Sequence, residues 1–190
     1  MFEYYEPYFS INLPQSKIDT QASEVEWVQY NPRKKISRWG ASLTSLDGKM
    51  TGVPDLDSLR EYNRENKTEY SEKQFSVKTP IYKYFDFMDA HFDLGRSHLI
   101  RLGSGGFFPY HRDYDEDTFR LIYTIGGCDE QTLVWLLQDK VVKLQNRKWY
   151  YINTKMVHSL FSFFGSEFAV FNVIANDKGK KSLVDLMSIA

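Results

Sequence analysis

The alternation of apolar and polar positions changes character midway along the chain. From His98 onward, seven short stretches read as strands: His98–Leu102, Phe119–Ile125, Thr132–Leu137, Val141–Leu144, Trp149–Asn153, Val157–Phe163 and Phe168–Ile174. Gly103, Gly105-Gly106, Gly126-Gly127, Asp139-Lys140, Asn146 and Gly165 punctuate them. Short strands at this spacing predict a sandwich or barrel, and a jelly roll with helices on one outer face is the expected architecture. The earlier half is less regular. The first twenty residues read as an irregular arm broken by Pro7 and Pro14. Residues 24–31 read as a strand of imperfect alternation, closed by a turn at Asn31-Pro32. Asp47-Gly48, Gly52 and Pro54 make 45–56 a loop. Asp55 or Asp57 is placed to cap a short helix through Leu59, Arg60 and Tyr62, and 63–74 is polar and expected at the surface. Thr79-Pro80 opens a second helix, with Ile81, Phe85, Met88 and Phe92 on one buried face and Gly95 as its stop. The stretch from Lys178 to Ala190 reads as a short helix or an unpacked tail.

Composition supports strands. Aromatic residues make up 16% of the 190, including 13 Tyr and 14 Phe, and flat rings suit a pleated surface. The length fits one domain, with residues 1–97 as an N-terminal extension with supporting helices and 98–175 as the barrel core. A formal net charge of −1 offers no electrostatic argument for nucleic acid or an anionic membrane. The single cysteine, Cys128, leaves no internal disulfide, so a cytoplasmic location is the simpler expectation. Met1 to Glu6 lack a basic and then apolar run, so no signal peptide is expected, and no apolar stretch approaches a membrane span.

Chemistry narrows to the four histidines, His91, His98, His111 and His158. Two fall in a His-x-Asp arrangement: His91-Phe92-Asp93 and His111-Arg112-Asp113. On an extended chain, positions i and i+2 point to one side, so His and Asp reach one metal ion. A histidine from a distant strand then completes a facial triad suited to non-haem iron(II). His91 falls within the predicted helix, where i and i+2 diverge, so it reads as a surface or capping residue. His111 follows an extended lead-in, where the spacing works.

The run Arg101-Leu102-Gly103-Ser104-Gly105-Gly106-Phe107-Phe108-Pro109-Tyr110-His111-Arg112-Asp113 resembles the approach to the metal in 2-oxoglutarate- and iron(II)-dependent oxygenases of the prolyl-hydroxylase-like and aspartyl/asparaginyl-hydroxylase-like kind. Trp149 to Leu160 resembles the segment carrying their distal histidine. The resemblance covers roughly residues 98–175. It implies a double-stranded β-helix (a cupin-like jelly roll), His111, Asp113 and His158 as iron ligands, 2-oxoglutarate as co-substrate, and molecular oxygen as oxidant. The implied reaction hydroxylates a C–H bond of a protein or peptide side chain, or of an amino acid or other small molecule. The family commonly places an Arg or Lys after the distal histidine to hold 2-oxoglutarate; residues 159–176 contain neither, and Phe168 stands near that position. Leu102 replaces a frequent Tyr.

A buried dicarboxylate still needs a cation. Arg120 and Arg101, each within an apolar strand, are the candidates, with Asn172 and Tyr123 as supporting hydrogen-bonding groups. Arg120 faces the interior only if the pleat groups it with Ile122 and Thr124. Trp135 and Trp149 read as core or barrel-mouth aromatics, Cys128 as an unactivated turn residue, and Arg33-Lys34-Lys35 as a solvated turn. Gly103-Ser104-Gly105-Gly106 is no phosphate loop, since neither a Lys-Ser/Thr pair nor a helix follows. Two rival readings stand beside the oxygenase: a jelly-roll binding or structural module without catalysis, and a metal-dependent hydrolase using the same ligands.

Overall fold

The structure is a computed structural model, and it describes residues 7–29, 35–50, 58–113 and 117–187. In chain order the strands are β1 Tyr8–Ile11, β2 Val28–Gln29, β3 Arg38–Ser42, β4 Thr44–Ser45, β5 Val77–Lys78, β6 His98–Leu102, β7 Phe107–His111, β8 Thr118–Gly126, β9 Leu133–Leu137, β10 Lys140–Val141, β11 Trp149–Ile152, β12 His158–Ser162 and β13 Ser166–Ile174. Helix α1 spans Leu59–Asn66 and α2 spans Asp177–Leu186, with 3-10 helices at Glu72–Gln74 and Pro80–Ala90.

A seven-stranded sheet runs β1-β11-β8-β13-β6-β3-β2, and a four-stranded sheet runs β10-β9-β12-β7. Every pairing is antiparallel, and the two sheets form the mainly β jelly roll expected from the strand pattern. Two cores follow from the pleat of the larger sheet. Leu121 and Tyr123 of β8 pack outward with Phe171 of β13 and the helical residues Ile81, Phe85 and Met88. Ile122 packs inward with Ile100, Phe168, Trp135 and Leu160, between the sheets. Arg120 therefore shares the inner face with Ile122 and Thr124.

The Pro80–Ala90 helix begins with proline at its first position, and Ile81, Phe85 and Met88 are fully buried, as its periodicity predicts. Its geometry is 3-10, and it stops at Ala90 rather than running to Gly95. Gly95 instead donates its N–H to the Asn172 carbonyl at 2.7 Å, beside the Glu72 backbone, where a Cβ would sit 2.5 Å from the Glu72 oxygen. Helix α1 is capped by Ser58; Asp55 and Asp57, like the Asn31-Pro32 turn and Arg33-Lys34, lie outside the described residues. The arm contains β1, which pairs with β11, and the C-terminal segment is a helix that buries Leu183 and is capped by Asn176. The strand expected over 24–31 is only Val28–Gln29 among the described residues, and that expected over 141–144 is Lys140–Val141. No described helix is long and apolar enough to cross a membrane.

Candidate metal centre

Strand β7 contains the local irregularity that builds the site. His111 lies opposite His158 and Phe108 opposite Leu160, so Pro109 and Tyr110 together face the single residue Ser159. This bulge turns both Phe108 and His111 toward the interior, although residues three apart on a regular strand point to opposite faces. The two imidazole centroids come within 4.2 Å. Asp113 follows two residues on, pinned by its backbone N–H to the Thr154 carbonyl at 2.9 Å. Ligand atoms of His111, Asp113 and His158 all lie within 4.8 Å of one another, so the group could hold a metal ion.

The donor chemistry fits a metal. His111 Nδ1 lies 2.7 Å from the Pro109 carbonyl and His158 Nδ1 lies 3.0 Å from the Met156 carbonyl. A carbonyl only accepts, so each Nδ1 carries a proton, which in the neutral ring leaves Nε2 as the nitrogen with a lone pair to coordinate a metal. Burial, helped by the neighbouring His111, lowers the His158 pKa and keeps that ring neutral. Burial alone would raise the Asp113 pKa, but Arg120, the Thr154 side chain and the two imidazoles outweigh it and hold the carboxyl below its usual range. Two imidazoles and one carboxylate are a donor set that suits a divalent transition-metal ion.

The cluster lines a cavity of about 100 Å³ between the sheets. Ile100, Ile122, Leu160, Phe168 and Phe108 supply apolar walls, while Arg96, His98, Arg120 and Asn172 line the side of the larger sheet. Arg120 is 9% exposed; its Nε lies 3.2 Å from Asp113 Oδ2, and its Nη1 donates to Thr118 Oγ1 at 3.2 Å. Asn172 is its cross-strand partner. The Asn172 Nδ2 donates to Glu72 at 2.7 Å, and Glu72 holds Arg96 through Nε at 2.9 Å and Nη2 at 3.0 Å. That arrangement fixes the amide orientation, since a flipped amide would set Oδ1 against the Glu72 carboxylate. Asn172 Oδ1 and Trp135 Nε1 are buried with no hydrogen-bond partner among the described residues. Both residues line the cavity, which is thus equipped for a polar ligand or water.

Two sequence candidates lie elsewhere. Arg101 and Tyr123 sit on the opposite pleat of β6 and β8, facing away from the cavity. Arg101 ion-pairs with Glu167 at 2.6 Å, donates to the Thr20 carbonyl and stacks over Trp27. Tyr123 packs among Phe85 and Trp149 and donates to the Ser16 carbonyl at 3.4 Å. Neither reaches a ligand at the His-Asp-His cluster. The second His-x-Asp is divided: His91 caps the Pro80–Ala90 helix, and Asp93 pairs with Lys178 at 3.0 Å. Cys128 is buried, and its thiol is pushed up to about 12, chiefly by burial. Sequence reasoning did not single out Arg96, Glu72 or Thr154. Arg96 carries a usable signal, a charge two residues before an apolar strand, but Glu72 and Thr154 are joined to the site only by the fold.

His98 carries a pH prediction. Burial, with repulsion from Arg96 and Arg120 and against some attraction from Asp113, lowers its pKa to about 3. The unfolded chain protonates this residue near about 6.5. Between those values the unfolded state binds the extra proton, so stability is full above the upper value and falls as pH drops toward the lower. Chemical denaturation of the parent should show this acid limb, a few kcal/mol in total at about 1.4 kcal/mol per unit. His98→Asn should flatten it, and superimposable limbs would contradict the assignment.

No protein-family model matches the sequence, and no curated protein does. Among solved structures, an oxidoreductase of the 2OG-Fe(II) oxygenase family from Burkholderia pseudomallei matches with 11% identity over 74% of this chain and 68% of that one, TM-score 0.42. A predicted oxalate decarboxylase from Thermotoga maritima matches with 16% identity over 47% and 72%, TM-score 0.36. A cupin-2 domain containing protein from Shewanella frigidimarina matches with 18% identity over 40% and 67%, TM-score 0.33. The chain spans about two thirds of the length of such structures. With every one of these scores below 0.5, the functional reading rests on the residues of the site itself.

Proposed function

We propose that this chain is an iron(II)- and 2-oxoglutarate-dependent dioxygenase that hydroxylates a C–H bond of a protein or peptide side chain, or of an amino acid. The observation that carries this reading is the convergence of His111, Asp113 and His158, with both Nδ1 atoms turned onto backbone carbonyls, beside the buried cation Arg120. Iron(II) held there supplies oxygen activation: 2-oxoglutarate and O2 become succinate and CO2, and one oxygen atom enters the substrate C–H bond. The protein's own contributions are positional. The bulge in β7 and the Thr154 carbonyl fix the ligand geometry. Ile100, Ile122, Leu160 and Phe168 give the cavity apolar walls. Arg120 offers a carboxylate more donors than its bonds to Asp113 and Thr118 use, in place of the cation missing after His158.

The test is succinate release from 2-oxoglutarate with iron(II), oxygen and a reductant, alone and with peptide and amino-acid pools. The parent should form succinate and CO2 in equal amounts, and His158→Ala should form none. A parent that binds iron yet forms no succinate under any of these conditions would contradict the oxygenase reading.

A further inference from the structure

The outer face of the larger sheet is covered by the Pro80–Ala90 helix and the arm, through the core that includes Phe85, Ile18 and Leu13. No described element covers the outer face of the smaller sheet. On β9, Leu133, Trp135 and Leu137 point inward and are buried, whereas Val134 and Leu136 point outward and are only partly covered. A strand apolar on both faces belongs between two packed layers. Val134 lies beside Phe161 of β12, and Phe161 lies beside Phe107 of β7, which makes one apolar row across three strands. The row continues at the β12–β13 turn, where Phe161 meets Phe163 edge-on at 4.9 Å and Phe163 meets Phe164 at 6.4 Å. Exposure is 38% for Phe107, 40% for Phe161, 46% for Phe163, 78% for Phe164 and 49% for Val141 of β10.

We propose that this face is the interface of a homodimer, with two copies packed smaller sheet against smaller sheet. Area supports an occupant of this size. With each large aromatic offering on the order of 200 Å², the exposed side chains present roughly 500 Å². A standard interface takes about 800 Å² from each partner, about 60% of it apolar, which is roughly the same figure. Charge supports a second copy. The outward positions of β9 and β12 are Val134, Leu136, Ser159 and Phe161, so the face meets its own image without like-charge repulsion, and the chain carries a net charge of only −1. The edges favour face-to-face rather than edge-to-edge association. Pro109 interrupts the free edge β7, and β10 at the other edge is two residues long. Rings and β-branched side chains of two such faces interdigitate as in a β-sandwich.

Sedimentation equilibrium of the full chain at micromolar concentrations tests this. The parent should sediment as a dimer. Phe161→Ser and, separately, Phe164→Ser at the exposed turn should each raise the dimer dissociation constant by at least about a hundredfold, because a truncated aromatic anchor counts once in each copy. Far-ultraviolet circular dichroism and iron binding of the Phe164 variant should match the parent. A parent that stays monomeric throughout would overturn the proposal, as would a dimer indifferent to both substitutions.

Discussion

Replacing His158 by Ala should remove iron binding altogether on the scale of an ordinary titration. The imidazole is buried, its Nδ1 donates to the Met156 carbonyl, and ligand atoms of His158, His111 and Asp113 lie within 4.8 Å of one another. Changing a residue that only orients a ligand typically costs 10–100-fold in metal affinity. Deleting one of three ligands should therefore exceed about a hundredfold. His111→Ala should behave alike. His91→Ala should leave affinity unchanged, because His91 ends a helix and its Asp93 partner is engaged by Lys178. Calorimetric titration of iron(II) under anaerobic conditions, with circular dichroism to confirm the fold, measures all three. Equal affinity in the parent and His158→Ala would remove the triad.

The second large effect belongs to Arg120. A carboxylate brought into the cavity should lose a few kcal/mol with Arg120→Ala, the range found when one partner of a buried ion pair is deleted. The 2-oxoglutarate dissociation constant should rise by roughly a hundredfold, at about 1.4 kcal/mol per tenfold. Iron affinity at neutral pH should not fall, since Arg120, with its Nε 3.2 Å from Asp113 Oδ2, both competes for that carboxylate and repels an incoming cation. The acid edge of iron binding should move upward in pH, because Asp113 loses the guanidinium that lowers its pKa. Arg101→Ala should leave 2-oxoglutarate binding alone and lower thermal stability instead, through loss of the Glu167 pair and the Trp27 stack. An unchanged 2-oxoglutarate constant in Arg120→Ala would show that this residue does not hold the co-substrate.

These two arginines also show how far the sequence could be read. His111, Asp113 and His158 were legible because an i, i+2 pair on an extended segment and a distant histidine suffice to suggest a facial set. Strand positions from His98 onward were legible because turn residues bracket each apolar run. The facing of β8 was not. Phe119 to Ile125 is buried on both sides, so alternation carries no sign, and Arg120 and Arg101 look equivalent until pairing with β13 sets the pleat. The bulge at Pro109-Tyr110 was hidden for a related reason: it appears only when β7 is laid against β12. Strand β3 contains Gly40 and lacks a clean period, and β1 is held as a strand by β11, far along the chain. Glu72 joins the site through Arg96 and Asn172, a tertiary link that no local pattern encodes.

The proposed function requires the His-Asp-His cluster to hold iron(II) and 2-oxoglutarate to join it in the cavity. Anaerobic visible absorption tests both together, since chelation of a 2-oxo acid by iron(II) produces a metal-to-ligand charge-transfer band. The parent should develop this band only when iron(II) and 2-oxoglutarate are both present, and His158→Ala should not develop it at all. A parent that shows no band at saturating concentrations of both, or a His158→Ala variant that shows the parent's band, would contradict the account.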